Sequence, residues 1–205
     1  MTTSTTTVDY TPQYISLIQT FSAIKFSITG TINGTAENST ISYTSTSMGG
    51  GIYNVTMTLA SSGSTTSATF SIDASNSTVL SATIEGYTVT GSTAKSEFDA
   101  FMGLFGLQEY YSGEIGVFTD SSYFHSTGTK TETYGTTSFP VTTWVANSLP
   151  ESIDFCGVNS DITAYTLSVG TPPGTTLQFI TYLNFASSSP SNENITFQLV
   201  SMTVA

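Results

Sequence analysis

The sequence has almost no positive charge. It contains no arginine and only three lysines, Lys25, Lys95 and Lys130, against fourteen carboxylates. Charged residues make up 8% of the chain, whereas soluble domains typically carry about 25%. A surface that binds nucleic acid needs clustered basic side chains, which three lysines cannot supply. We therefore exclude nucleic acid as a partner.

Cysteine and long apolar runs are nearly absent as well. Cys156 is the only cysteine, which excludes an intramolecular disulfide framework. No apolar run approaches the ~18 residues of a membrane-spanning helix, so we predict no transmembrane segment. The first residues lack the basic and apolar regions of a signal peptide. A secreted form would therefore begin at or near a processed end.

Motifs of catalysis and cofactor binding are missing. The sequence has no G-x-S-x-G, no H-E-x-x-H, no Cys/His cluster and no phosphate-binding glycine loop. His125 is the only histidine, so the commonest general base is nearly absent. We predict no cofactor, no metal and no enzymatic activity. The alternative is an acid-active secreted hydrolase with a carboxylate pair, for which the candidates are Asp120, Glu132, Glu151 and Asp154.

Hydroxyl side chains replace the charges. The chain has 32 serines and 40 threonines, about a third of all residues. A surface of hydroxyls has few ion pairs to lose when carboxylates are protonated in acid. Hydrophobic residues reach 38% and aromatic residues 12%, too many for a disordered stalk. We predict a folded extracellular protein adapted to an acidic medium.

The dominant pattern is an alternation of apolar and polar residues. Each run is rich in β-branched or aromatic residues and ends at Gly, Asn, Ser or Pro, as strands do. The runs are 24–32, 52–59, 68–72, 79–84, 87–89, 162–169, 177–185 and 195–204. Several short strands separated by turns are typical of a sandwich or barrel. We predict an all-β fold, an immunoglobulin-like or jelly-roll-like β-sandwich formed by residues 13–205 as one domain.

One segment, residues 93–107, has a helical pattern instead. Its apolar residues recur at steps of three and four, for example Phe98, Phe101, Met102 and Phe105. We predict one short helical insert here. It closes an open end of the sandwich or, alternatively, binds a partner.

Five asparagines lie in the N-glycosylation pattern N-x-[ST]: Asn33, Asn38, Asn54, Asn76 and Asn194. The first two and Asn76 lie in turn-like sequence, where acceptors are normally exposed. Asn54 and Asn194 lie in predicted strands and need outward side chains. Glycans at these positions would solubilise a surface that has few charges.

The N-terminal residues 1–12 form a separate, extended segment in the sequence. Threonines and Val8 favour an extended backbone, and Pro12 separates the segment from the apolar run 14–18. The alternatives are a frayed terminus and a strand donated to another subunit. Eleven extended residues span about 35 Å, the length of one long strand. A body that accepts such a strand should expose a groove of unpaired backbone and apolar side chains.

This organisation resembles the subunits of thread-type surface filaments of thermoacidophilic archaea. The likeness consists of a Thr-rich N-terminal segment followed by a Ser/Thr-rich all-β body with many sequons. It implies a glycosylated, immunoglobulin-like subunit that inserts its N-terminal strand into the next copy. It also implies that Thr5, Thr7, Val8 and Tyr10 are the donor residues and that the partners are copies of the chain itself. A viral coat or surface-layer protein is a structurally close alternative.

Overall fold

A computed structural model describes residues 9, 11–32, 34–103, 121–149, 151–155, 158–189 and 192–205. The helices are α1 (Thr11–Thr20) and α2 (Gly91–Gly103). The strands are β1 (Phe21–Ile32), β2 (Thr35–Gly49), β3 (Ile52–Ser61), β4 (Ser64–Asp73), β5 (Thr78–Ile84), β6 (Tyr87–Thr90), β7 (Phe124–Tyr134), β8 (Thr137–Ala146), β9 (Glu151–Phe155), β10 (Val158–Gly170), β11 (Phe179–Ser189) and β12 (Glu193–Val204). Neither of these helices is both long and apolar enough to span a membrane.

The strands form one large antiparallel sheet in the order β6-β5-β4-β3-β2-β1-β12-β11-β10-β8-β7, with β9 paired to β10. The prediction of an all-β, sandwich-like fold is confirmed. The sheet is curved, so that Gly135, directly after β7, forms a β-bridge with Met202 on β12. Gly135 has a φ of 64°, and a Cβ there would lie 2.8 Å from the Met202 carbonyl oxygen. Only glycine fits this contact without strain.

The alternation read from the sequence determines which side chains are buried. On β3, for example, Val55 and Met57 are buried while Asn54 and Thr56 are exposed. The buried side chains of the strands join those of both helices in one continuous core. Successive side chains of a strand point to opposite faces, so the polar residues between them form the outer surface.

The structure contains one helix that was not predicted from the sequence. The apolar run 14–18 belongs to α1, which buries Tyr14, Ile15, Leu17 and Ile18. Thr11 and Pro12 are already helical, so the body begins two residues before the predicted boundary after residue 12. The first turn of a helix tolerates proline because its N–H groups have no partner within the helix.

The predicted helical insert is present as α2. It begins at Gly91, two residues earlier than predicted, while residues 104–107 lie outside the described part of the chain. Ala94, Phe98 and Met102 are completely buried. The ring of Phe98 makes edge-to-face contacts with Tyr14 of α1 and Phe70 of β4, at centroid distances of 6.3 and 5.4 Å. This face of α2 is therefore part of the core.

Candidate functional site

A small polar cluster lies at the start of α1, where it contacts α2. Asp9 accepts a hydrogen bond from the backbone N–H of Thr11 (3.1 Å). The hydroxyl of buried Thr11 donates to Asp99 on α2 (2.9 Å). The ammonium of Lys95 donates to Asp9 (2.9 Å) and to Asp99 (2.7 Å), so one cation bridges both carboxylates. We call Asp9, Thr11, Lys95 and Asp99 the N-terminal latch.

The N-terminal latch was not predicted from the sequence. Lys95 and Asp99 are four residues apart in the predicted helix, the spacing at which opposite charges pair. The pairing of Lys95 with Asp99 could therefore have been predicted from the sequence. Asp9 lies 86 positions from Lys95, and no local pattern connects two residues at that separation.

The latch gives the protein a defined response to acid. Hydrogen bonding from Thr11, then from Lys95, lowers the pKa of Asp9 from 3.8 to about 2. A carboxylate with a lowered folded-state pKa stabilises the fold above its unfolded pKa. The contribution of Asp9 is therefore complete above about pH 4 and is lost as the pH falls through about 2. The side chains of Lys95 and Asp9 are 41% and 59% exposed, so solvent screening limits the pair to about 1 kcal/mol or less.

We expect Lys95→Met to lower the free energy of unfolding by about 0.5–1 kcal/mol at pH 7. At pH 1.5, below the pKa of Asp9, this difference should shrink markedly because the Asp9 carboxylate is protonated. The parent protein should stay folded down to about pH 2, since Lys95 forms the only ion pairs among the described residues. Circular dichroism melts at pH 7, 4 and 1.5 measure both effects. Lys130→Met is the matched control, and an acid unfolding midpoint above pH 3 in the parent would contradict the expectation.

The strand β7 is a long sheet edge. It lies at one end of the strand order, and no described strand pairs with its outer side along 124–134. Residues 125–131 are all exposed. In register, Lys130 lies opposite Val141 and Glu132 lies opposite Phe139. Opposite residues share one face of an antiparallel pair. Thus β7 carries charges on the face where β8 carries buried apolar side chains. Charged side chains on that face of an edge strand restrict which other strands can pair with it.

The other face of β7 carries hydroxyls. Thr129 pairs with Thr142 and Thr133 pairs with Ser138, each with 2.8 Å between the hydroxyl oxygens. A strand added to β7 would therefore meet hydroxyls on one face and charges on the other. This differs from the apolar groove expected for a donor-strand acceptor. The reason is that the buried side chains of this hairpin come mainly from β8.

The strand β6 forms the opposite edge and has only four residues. Tyr87 lies opposite Ile84 and is 80% exposed. The helix α2, which carries the latch, follows β6 directly and packs against β5 and β6. The latch and β7 thus belong to opposite ends of the strand order.

Four of the five sequon asparagines lie in the described residues, and all four are exposed: Asn38 on β2, Asn54 on β3, Asn76 in the β4–β5 turn and Asn194 on β12. The outward orientation required of Asn54 and Asn194 is present. The Nδ2 atom of Asn76 donates to Asp73 (2.7 Å). An amide nitrogen has two hydrogens, so this bond is compatible with a glycan on the same nitrogen.

Several predicted residues lie outside the described part of the chain or have no described side chain. The donor residues Thr5, Thr7, Val8 and Tyr10, the sequon residue Asn33 and the carboxylate Asp120 lie outside the described residues. Glu151 and Asp154 are on β9, but their side chains are not described. Of the four candidate hydrolase carboxylates, only Glu132 therefore has a described side chain.

Glu132 and His125 each have a hydrogen-bond partner among the described residues. Glu132 accepts a hydrogen bond from the hydroxyl of Tyr134, next to it on the same face of β7. His125 is exposed, and its Nδ1 lies 2.9 Å from the Asn147 side-chain oxygen. Across the described residues, no group of three or more His, Cys, Asp or Glu side chains is placed to hold a metal ion.

Comparisons with known proteins add little. No protein-family profile and no curated protein matches the chain. The crystal structure of MucB is similar with a TM-score of 0.40 and 9% sequence identity, over 95% of this chain and 56% of the MucB chain. The chain thus spans little more than half of the length of MucB. A structural similarity this low carries no argument about function.

Proposed function

We propose that this protein is the structural subunit of an extracellular, glycosylated filament. Residues 1–8 of one copy add as a strand to β7 of the next copy, which links the subunits head to tail. The proposal rests on the positions of two features that come together between neighbouring copies. They are the edge β7 of one copy and the N-terminal latch of the other, next to which residues 1–8 begin the chain's path to that edge. The edge β7 is eleven residues long and open among the described strands, and the latch sits near the opposite edge.

The length and chemistry of the segment suit this edge. Eight extended residues span about 26 Å and eleven span about 35 Å, so the segment fits along β7. Thr5 and Thr7 share one face of an extended segment and Val8 lies on the other, whereas Tyr10 follows Asp9 in the sequence and so stays outside the added strand. Cross-strand pairs of threonines contribute roughly 0.2–1 kcal/mol each. The hydroxyls of Thr129, Thr131 and Thr133 on β7 offer such pairs, and backbone hydrogen bonds supply the rest.

The same arrangement favours propagation into a fibre over a symmetric edge-to-edge dimer. Donor and acceptor are different surfaces of the subunit, so the contact is heterologous, and such contacts propagate unless their rotation closes. The charges of Lys130 and Glu132 oppose pairing of β7 with the edge of another copy's sheet. Residues 2–8 have no charged side chain, so they can add to β7 without placing a like charge beside Lys130 or Glu132.

Thiol cross-linking tests which edge receives the segment. We expect Thr5→Cys with Thr129→Cys, in a Cys156→Ser background, to give a ladder of covalent oligomers when filaments are treated with a short bifunctional thiol reagent. The pair Thr5→Cys with Thr88→Cys places the second thiol on β6 and is the matched control. Denaturing gel electrophoresis measures both. A ladder from the β6 pair alone, or from neither pair, would contradict the assignment of β7.

Glycan occupancy tests the extracellular part of the proposal. We expect N-linked glycans on Asn38 and Asn76 in protein from its native source, because both side chains are exposed. Intact-glycopeptide mass spectrometry measures the occupancy of each sequon. Asn147, Asn159, Asn184 and Asn192 lie outside sequons and serve as internal controls. Unmodified Asn38 and Asn76 in secreted material would oppose the proposal.

A further inference from the structure

The outer face of β2 to β6 carries two continuous rows of small polar side chains. Following the strand register, the first row is Thr44, Thr56, Thr69, Thr83 and Thr88. The second row is Thr46, Asn54, Ser71, Ser81 and Thr90. None of these residues is buried, none is charged, and nine of the ten carry a hydroxyl. We call them the hydroxyl rows.

Hydrogen bonds already link neighbours within the rows. The hydroxyl oxygens of Thr83 and Thr88 are 2.9 Å apart, and those of Thr56 and Thr69 are 3.5 Å apart. A hydroxyl offers one hydrogen and two acceptor sites. Each pair uses one hydrogen, so every pair keeps a hydrogen and several acceptor sites for a ligand outside the sheet.

The geometry of the rows selects a flexible, hydroxyl-bearing ligand. Strands are about 4.8 Å apart, and alternate residues along a strand are about 6.8 Å apart. Neighbouring strands are twisted by about 20–25°, so a rigid planar lattice cannot follow the rows across five strands. No aromatic ring stands in the rows to add contact area. An untethered sugar would therefore bind weakly, whereas a tethered one has a high effective concentration.

A sequon supplies the tether. Asn54 lies in the second row, and Thr56, the hydroxyl residue of the same sequon, lies in the first. The side chain of Asn54 is exposed on the same outer face. Thr69 is its diagonal neighbour on the adjacent strand, roughly 7–8 Å away, and Thr83 is one strand further.

We propose that the hydroxyl rows are a binding surface for the N-linked oligosaccharide carried by Asn54 of the same copy. The sugar hydroxyls exchange hydrogen bonds with Thr69 and Thr83, so the glycan lies along the sheet and stabilises it. The proposal rests on the glycosylation part of the proposed function and does not need the filament.

The test is a double-mutant cycle on the full glycosylated chain. Asn54→Gln removes the glycan, and Thr69→Val with Thr83→Val removes two hydroxyls while keeping β-branched side chains. Thr143→Val removes a hydroxyl on β8 that is paired with Ser168 (2.8 Å), away from the sequons in the strand order, and is the control. We expect Asn54→Gln to lower Tm by about 2–4 °C, the shift that a net hydrogen bond or two produces in a chain of this size. The same fall in Tm should appear in the Thr143→Val background and vanish in the Thr69→Val/Thr83→Val background.

Other results overturn the proposal. The first is an unmodified Asn54. The others concern the fall in Tm caused by Asn54→Gln: an equal fall in all three backgrounds, no fall in the parent, or a fall of the same size in protein from a host without N-glycosylation. Self-association of the Asn54→Gln protein that Thr69→Val/Thr83→Val reverses would instead assign the rows to a second copy. Filament formation, observed separately by electron microscopy, distinguishes a failure of the proposed function from a failure of the glycan contact.

Discussion

Deleting residues 2–8 should abolish filament formation and leave a folded body. The deletion removes the proposed donor strand but stops before Asp9, so the latch and α1 remain intact. A synthetic peptide of residues 1–8 should then raise the Tm of the truncated protein. At a peptide concentration one hundred times its Kd, the stabilisation is about 2.7 kcal/mol. Negative-stain microscopy and calorimetry measure the two effects.

A backbone substitution separates strand addition from simple loss of chain. Neighbouring N–H groups of a strand point to opposite sides, so Thr5→Pro with Thr6→Pro removes one hydrogen bond to β7 whichever register is used. We expect this variant to behave like the deletion. Thr5→Val with Thr6→Val keeps the backbone donors and β-branched side chains and should still polymerise. Filaments from the truncated protein, or an unchanged Tm with peptide, would show that the segment is not a donor strand.

The largest loss of stability should come from Phe98→Ala. The Phe98 ring is completely buried and joins α2 to Tyr14 of α1 and Phe70 of β4. Removing it leaves a cavity among the three elements, which typically costs about 3–5 kcal/mol. Leu80→Ala on β5, where the side chain is 41% exposed, is the control and should cost under about 1.5 kcal/mol. Urea unfolding measures both, and a loss below about 1 kcal/mol for Phe98→Ala would mean that α2 does not belong to the core.

The strands could be predicted from the sequence because burial follows their alternation. Val55 and Met57 face the core and Asn54 and Thr56 face out, as the period of two requires. The α2 helix was also predictable, since Phe98 and Met102 recur at a helical spacing and both are buried. The apolar positions of α1 have helical spacing too, but a ten-residue helix beginning near a proline gives a weak signal.

The proposed site depends on long-range pairing, which no local pattern encodes. Each row threonine is unremarkable by itself. Thr44 and Thr88 belong to one row only because four strand registers place them there. The latch likewise joins Asp9 to α2 through tertiary packing. The edge position of β7 follows from the strand order of the whole sheet, and its charged inner face follows from its pairing with β8.

Cryo-electron microscopy of native material can show directly whether the subunits are joined by a donated strand. We expect filaments in which an extra strand runs along the outer side of β7 and continues into α1 of the adjacent subunit, at its latch. Separate subunits, or filaments in which the extra strand is absent from β7 or belongs to the same subunit, would contradict donor-strand assembly.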